Sequence, residues 1–253
     1  MSFQPSVGVE PAPPLSHARP RLACSVIVPF FNEEASVGAL LAELRRTLDS
    51  LPESYEVILV DDGSTDGTAT ALKAGAASWP QCGVLAFARN RGQAAALLSA
   101  FARARGDVLV TLDGDGQNDP ADIPRLLARL EGADMVAGVR ARRQDSTLRR
   151  MMSRLANAVR SRVLGDGVSD TGCALKVFRR EVAATFIPIR TLYSFMPALA
   201  VASGFRVVEE PVNHRPRRAG ESKYGLVAMS WRPLIDMLGV RWFSQRRSER
   251  EDA

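Results

Sequence analysis

Five short runs of β-branched and aliphatic residues alternate with four longer segments of helical period along the first 140 residues of this chain. Ser25–Val28 leads to Ala35–Leu48, Glu56–Val60 to Thr68–Ala77, Val84–Ala88 to Ala94–Ala104, Val108–Leu112 to Ala121–Leu130, and Met135–Val139 closes the series. Strands that read as near-continuous apolar runs are buried on both faces, and a helix between successive strands returns the chain to the same end of the sheet. The expected class is α/β, a mostly parallel, doubly wound sheet, in which ligands collect at the carboxyl ends of the strands.

The polar clusters fall at those ends. Pro29-Phe30-Phe31-Asn32-Glu33-Glu34 follows the first run, Asp61-Asp62-Gly63-Ser64-Thr65-Asp66-Gly67 the second, Arg89-Asn90-Arg91-Gly92-Gln93 the third, and Asp113-Gly114-Asp115-Gly116-Gln117 the fourth. Two carboxylates separated by one glycine can share a hard divalent cation, Mg2+ or Mn2+, with a substrate's phosphates completing the shell. A strand-ending turn is the alternative, since Asp and Gly are common turn residues. A calcium loop is excluded, because counting from Asp113 puts Asn118 where glycine is needed and Pro124 where a bidentate glutamate belongs. Neither a Gly-rich dinucleotide fingerprint nor a Gly-Lys-Ser/Thr phosphate loop occurs.

Residues 1–21, with five prolines and no apolar period, read as a disordered leader, 22–225 as one catalytic domain, and 226–253 as an amphipathic helix with a basic tail. A net charge of +5 suits an anionic partner without choosing which. Cys24, Cys82 and Cys173 are too scattered for a disulfide framework and read as small hydrophobes. His17 and His214 alone cannot build a histidine metal cluster. No segment reaches the roughly 18–20 apolar residues of a membrane span, so a cytoplasmic location is expected.

From Arg140 to Arg162 there are eight arginines against one carboxylate, Asp145, which reads either as a solvated basic face or as an anion-binding wall. Leu226–Phe243 is interrupted by Arg232, Asp236 and Arg241. It is too polar to span a bilayer but suits a helix lying at the membrane surface, with a core-covering helix or a dimer contact as alternatives.

Taken together, Val28–Glu33, Val60–Asp66, Asn90–Gly92, Asp113–Gln117, Asp170-Thr171-Gly172-Cys173 and Arg217–Lys223 resemble the family 2 glycosyltransferases, and among them the polyprenyl-phosphate sugar synthases similar to dolichol-phosphate mannose synthase. The resemblance spans roughly residues 23–243 and implies a fold of nucleotide-diphospho-sugar transferase type, GT-A-like. It implies a cradle for base and ribose at Pro29, Phe31, Glu33 and Asp62, with Asn90 and Gly92 beside it. Asp113, Asp115 and Gln117 take the place of the divalent-metal shell, and Arg140, Arg154 and Asn157 that of the phosphate grip. Phe31 stands where the family commonly has tyrosine, so stacking is kept and a hydroxyl lost. Arg217 to Lys223 resembles a loop that folds over the donor, an exposed basic turn being the alternative.

The implied reaction moves a sugar, mannose or glucose, from a GDP or UDP donor to a dolichyl or undecaprenyl phosphate with inversion, at the inner face of the cell membrane. No nucleic acid takes part. Asp170 is the remaining acid, able to orient the acceptor, to serve as base for a hydroxyl acceptor, or simply to cap a turn. Three other readings stay open at this point. They are transfer to a hydroxyl of a polysaccharide or small molecule, a haloacid-dehalogenase-type phosphatase disfavoured because its Asp pair follows the first strand, and a non-catalytic nucleotide-sugar-binding module.

Overall fold

The structure, a computed structural model, describes residues 22–141, 157–216 and 232–246. The leader 1–21, Arg154, the Arg217–Lys223 loop, the start of the C-terminal amphipathic segment and the tail beyond residue 246 lie outside the described residues.

The alternation reads out as β1 (Leu22–Phe30), α1 (Glu34–Leu48), β2 (Tyr55–Asp61), α2 (Thr68–Ala77), β3 (Cys82–Ala86), α3 (Gln93–Phe101), β4 (Gly106–Thr111), a 3-10 turn at Pro120–Asp122 leading into α4 (Ile123–Arg129), and β5 (Met135–Arg140). After it come the helical stretch α5 (157–164), β6 (Lys176–Arg179), α6 (Arg180–Ala183), α7 (Leu192–Val201), β7 (Val207–Val212) and α8 (Arg232–Arg246). The seven strands lie in the order β3-β2-β1-β4-β6-β5-β7. β1 to β4 are mutually parallel, β6 is antiparallel to both of its neighbours, and β7 runs parallel to β5.

Successive strand residues point to opposite faces, so each apolar run feeds two cores. Val26, Val28, Val57 and Leu59 pack under α1, α2 and α4 with Leu40, Leu44, Leu72 and Leu126. Ile27, Val60 and Leu109 pack on the other face against α3, α7 and α8 with Leu97, Phe195, Leu199 and Val240. Phe101, Phe178 and Phe186 form a mutually tilted triad on that second face, with centroids 5.4–5.8 Å apart. Cys24 and Cys173 are buried and Cys82 is half-buried, and all three are free thiols; burial pushes Cys24 up to about 11 and Cys82 up to about 12.

The structure alters one sequence expectation close to the site. Pro29 and Phe30 belong to β1 rather than to the loop after it. Proline is tolerated in this central strand because β4 ends at Thr111, and beyond it Pro29 only has to accept, from the Gly114 amide at 3.2 Å.

At the opposite end of the sheet, Glu56 joins three segments. It accepts from the Ser25 hydroxyl (2.7 Å), the Arg105 amide (2.6 Å) and the Arg105 guanidinium (2.8 Å). Burial pushes its carboxyl up, but these hydrogen bonds and the Arg105 charge outweigh burial, and the net position is below the usual carboxylate range. A carboxyl lowered by folding stabilises the fold above its unfolded value, about pH 4.3, and that contribution is lost as pH falls through the lowered value. Glu56→Gln is therefore expected to cost about 2 kcal/mol, or about 6 °C of melting temperature, at pH 7. The difference between variant and parent should shrink toward pH 3 in thermal melts; a pH-independent difference would show that the charge is not what matters.

Candidate active site

The first two rim loops are stitched together by short polar side chains. Asn32 takes a left-handed conformation (φ 53°), which asparagine tolerates, and so turns the chain from β1 into α1. Its amide donates to the Ser64 hydroxyl (3.0 Å) and its side-chain oxygen accepts from the Thr65 amide (2.8 Å). The Glu33 amide donates to the Thr68 hydroxyl at 2.9 Å, while Glu33 itself is almost wholly buried. Phe31, next to it, is half-buried.

The third loop is built on Asp62. One oxygen accepts from the Arg91 amide (2.7 Å), the other from the Gly92 amide (2.9 Å) and the Asn90 side chain (3.0 Å). Burial pushes this carboxyl above the usual range, opposed by the Arg91 and Gly92 amides. Asp62 is thus placed as the anchor of the Asn90–Gly92 turn, whose half-buried Gly92 (φ 90°) opens α3. Gly63 must be glycine: a Cβ there would sit 2.2 Å from the Arg89 carbonyl carbon.

Asp113 and Asp115 follow β4 at the centre of the rim. Asp113 accepts from the Gln93 side chain at 2.7 Å, which ties the acid to the start of α3. Asp115 is buried and accepts from the Gln117 amide at 3.0 Å, closing an Asx turn. Between them Gly114 lies flat against the Phe30 ring, where a Cβ would be 2.4 Å from Phe30 Cδ1. Gln117 meets the loop after β7: its side-chain nitrogen is 3.4 Å from His214 Nε2 and from the Arg215 carbonyl, and its own carbonyl accepts from the Arg215 amide at 2.9 Å. Arg215 then pairs with Glu43 and Asp119.

The donors gathered here are oxygens, two carboxylates and one amide carbonyl, the set preferred by a hard divalent cation. Among the described residues no cluster of three or more His, Cys, Asp or Glu side chains forms a complete metal cage. The residues therefore fit a cation held by one or two carboxylates and completed by substrate phosphate and water, as is usual for Mg2+.

Two strands along, beyond β6, Arg140 ends β5 and grips Asp170 side-on. Nε lies 2.8 Å from Oδ2 and Nη2 2.7 Å from Oδ1, and the Arg140 amide donates to Oδ2 at 3.1 Å. Gly172 makes room for this fork, since a Cβ there would lie 2.6 Å from Arg140 Nη2. The loop is fixed along its length: Asn157 accepts from the Thr171 hydroxyl (3.1 Å), Glu209 accepts from the Ser169 amide (2.7 Å), and buried Arg160 pairs with Asp166 and donates to the Val168 carbonyl.

Two residues that sequence reasoning passed over stand at the site. His214 lies against Gln117. Lys176 is fully buried on β6, and its ammonium donates to the Cys173 carbonyl. Burial pushes this lysine below its ordinary range, opposed by Cys173, Asp113 and Asp170 and reinforced by Arg140. The one available signal was a lysine inside the otherwise apolar run Cys173–Phe178.

The mixed seven-stranded sheet, with acids in the loop after β4, is a fold of the GT-A type. The chain belongs to the family Glycosyl transferase family 2, whose pattern it matches over residues 25–186. Its relatives include undecaprenyl-phosphate 4-deoxy-4-formamido-L-arabinose transferases from Aeromonas hydrophila, 42% identical over 80% of this chain, and Edwardsiella ictaluri, 41% identical over 81%. The chain spans 63% and 64% of the lengths of those two proteins. Among solved structures, glucosyl-3-phosphoglycerate synthase from Mycobacterium tuberculosis, in complex with Mn2+, UDP and phosphoglyceric acid, shares the fold with a TM-score of 0.68 at 23% identity, covering 87% of this chain and 78% of that one. A mannosyltransferase from Pyrobaculum calidifontis, in complex with GDP-mannose and Mn2+, gives a TM-score of 0.54 at 24% identity over 79% of this chain and 59% of that one.

Proposed function

We infer that this protein transfers a sugar from a nucleoside-diphosphate donor to the phosphate of a polyprenyl lipid. The observation that carries this reading is the side-by-side placement of an acidic pair, Asp113/Asp115, and an arginine-bearing loop, Arg140/Asp170, on adjoining parts of one rim. The relatives named for undecaprenyl phosphate support the acceptor class. The acidic pair suits a donor diphosphate and the guanidinium suits a second anion, so the rim can bring together two groups that repel each other. Phe31 and Glu33 line the end of β1, where base and ribose would rest on the Asn90–Gly92 turn.

A divalent cation held by Asp113 and Asp115 would neutralise charge on the departing diphosphate. The acceptor phosphate needs no strong base, because its second pKa is about 6 and it is already largely ionised near neutrality. Asp170 fits this chemistry: held in a two-point pair with Arg140, it orients the guanidinium rather than taking a proton. A phosphate oxygen forms the new bond to the anomeric carbon, the bond from that carbon to the diphosphate oxygen breaks, and its electron pair leaves with the nucleoside diphosphate. In-line attack inverts the anomeric configuration.

Turnover by the purified chain with UDP- and GDP-sugars, a short polyprenyl phosphate and Mn2+ tests the reading. Lipid-linked sugar should form and EDTA should stop it. Transfer to a hydroxyl acceptor with indifference to polyprenyl phosphate would replace it with the rival glycosyltransferase reading.

A lipid acceptor also requires a membrane surface, and α8 is built for one. Met237 and Val240 face the protein core, whereas Ile235, Leu238 and Trp242 are 55–60% exposed along the outer side, with exposed Arg241 and with Arg246 over the Trp242 ring. Asp236, the acid of this stretch, is turned inward to accept from Thr191 at the start of α7. Among the described residues no helix is long and apolar enough to cross a bilayer. Peripheral attachment to an anionic, cytoplasmic membrane face follows from that apolar and cationic side. Changing Ile235, Leu238 and Trp242 together to serine is expected to lower binding to anionic vesicles in flotation by roughly ten-fold or more. Undiminished flotation of the variant would remove α8 from the attachment.

A further inference from the structure

Lys176 is a buried amine that the chemistry above leaves unused. β6 runs between β4 and β5, and its register sets Lys176 opposite Thr111, two residues before Asp113, and opposite Ala137 of β5. The side chain is 1% exposed, and its ammonium donates to the carbonyl of Cys173, in the loop that carries Asp170. Lys176, Asp113 and Gln93 line one small cavity, with Pro29, Tyr193 and Met196 completing much of its wall. A buried ammonium is costly unless acids and carbonyls face it. Burial and Arg140 oppose the charged form of Lys176, while Asp113, just beyond β4, and Asp170, in the loop before β6, favour it.

We propose that Lys176 is a positioning residue that serves as the fixed counter-charge of the acidic rim, steadying Asp113 and limiting how tightly the rim holds a divalent cation. The proposal rests on the cation reading above. Its logic is one of sign: a positive charge near Asp113 attracts that carboxylate and repels any cation the carboxylate binds. A rim that held the cation too tightly would also hold the nucleoside diphosphate after the sugar has gone. A lysine beneath the floor prevents this without entering the crevice.

The test is Mn2+ binding by the full chain without nucleotide, measured by electron paramagnetic resonance of free Mn2+. Lys176→Met removes the charge at similar length; Lys176→Gln removes it but keeps a donor for the Cys173 carbonyl. Both variants are expected to bind Mn2+ roughly ten-fold more tightly, and Lys176→Arg to restore the parent affinity. If Lys176→Met fails to fold by circular dichroism, Lys176→Gln is decisive on its own. A folded charge-free variant with parent or weaker Mn2+ affinity overturns the inference while leaving the proposed function standing, and collapse of every charge-free variant also overturns it by making the lysine purely structural. Absence of Mn2+ binding by the unaltered protein overturns the cation reading and this inference together.

Discussion

Asp115→Asn is expected to reduce sugar transfer about a thousand-fold while leaving the protein folded. Asp115 has two separable tasks. Its Oδ1 accepts from the Gln117 amide at 3.0 Å and shapes the turn after β4, and its charge is proposed to hold the cation. Asparagine retains an acceptor for the turn and deletes only the charge. The melting temperature should therefore move little, whereas Asp115→Ala should add about 1 kcal/mol of lost stability because the turn hydrogen bond goes too. Steady-state rates over a Mn2+ series distinguish the two effects. A variant that keeps more than a tenth of the parent rate at saturating Mn2+ would show that this carboxylate does not hold the reacting charge.

The second large effect concerns Asp170. Its carboxylate and the Arg140 guanidinium are both shielded, with side chains 7% and 16% exposed, and each is the other's two-point partner. Removing one member of such a pair leaves the other charge poorly compensated, at a cost of about 3 kcal/mol. Asp170→Asn should accordingly melt about 9 °C lower and turn over about a hundred-fold more slowly. The double variant Asp170→Asn/Arg140→Met decides the role. If Asp170 acts by holding Arg140, the double variant is no slower than Arg140→Met alone and regains part of the lost stability. If Asp170 takes a proton instead, the losses in rate multiply and the acidic limb of the kcat profile disappears in Asp170→Asn but not in Arg140→Met. The bidentate geometry favours the first outcome.

Much of this architecture is readable from the chain because β1, β2, β4 and β5 are covered on both faces, so their residues stay apolar in succession and stand out between amphipathic helices. β6 and β7 are harder to read for a physical reason. The apolar run of β6 is broken by Lys176, and β7 carries Glu209, Glu210 and Pro211, side chains serving the Ser169–Asp170 loop, Arg125 and the outer strand of the sheet. Reversal of β6 is likewise invisible locally, because strand direction depends on the path between β5 and β6 rather than on the strand's composition. Asp62, Asp113 and Asp115 are identifiable because each lies in a loop that directly follows a strand, whereas Asp170, in the loop before β6, stands out only through the resemblance. Their division of labour is not identifiable in this way. That Asp62 spends both oxygens on the Asn90–Gly92 turn, that Asp170 locks onto an arginine thirty positions earlier, and that His214 arrives beside Gln117 are all consequences of long-range folding.

The measurement that tests the central claim most directly is anomalous diffraction from crystals of this chain grown with Mn2+ and a nucleoside-diphosphate sugar. A manganese peak is expected in coordination contact with Asp113 or Asp115 and with the donor's phosphate oxygens, on the side of the rim that faces Arg140. A donor bound elsewhere, or bound at this rim with no manganese near either carboxylate, would contradict it.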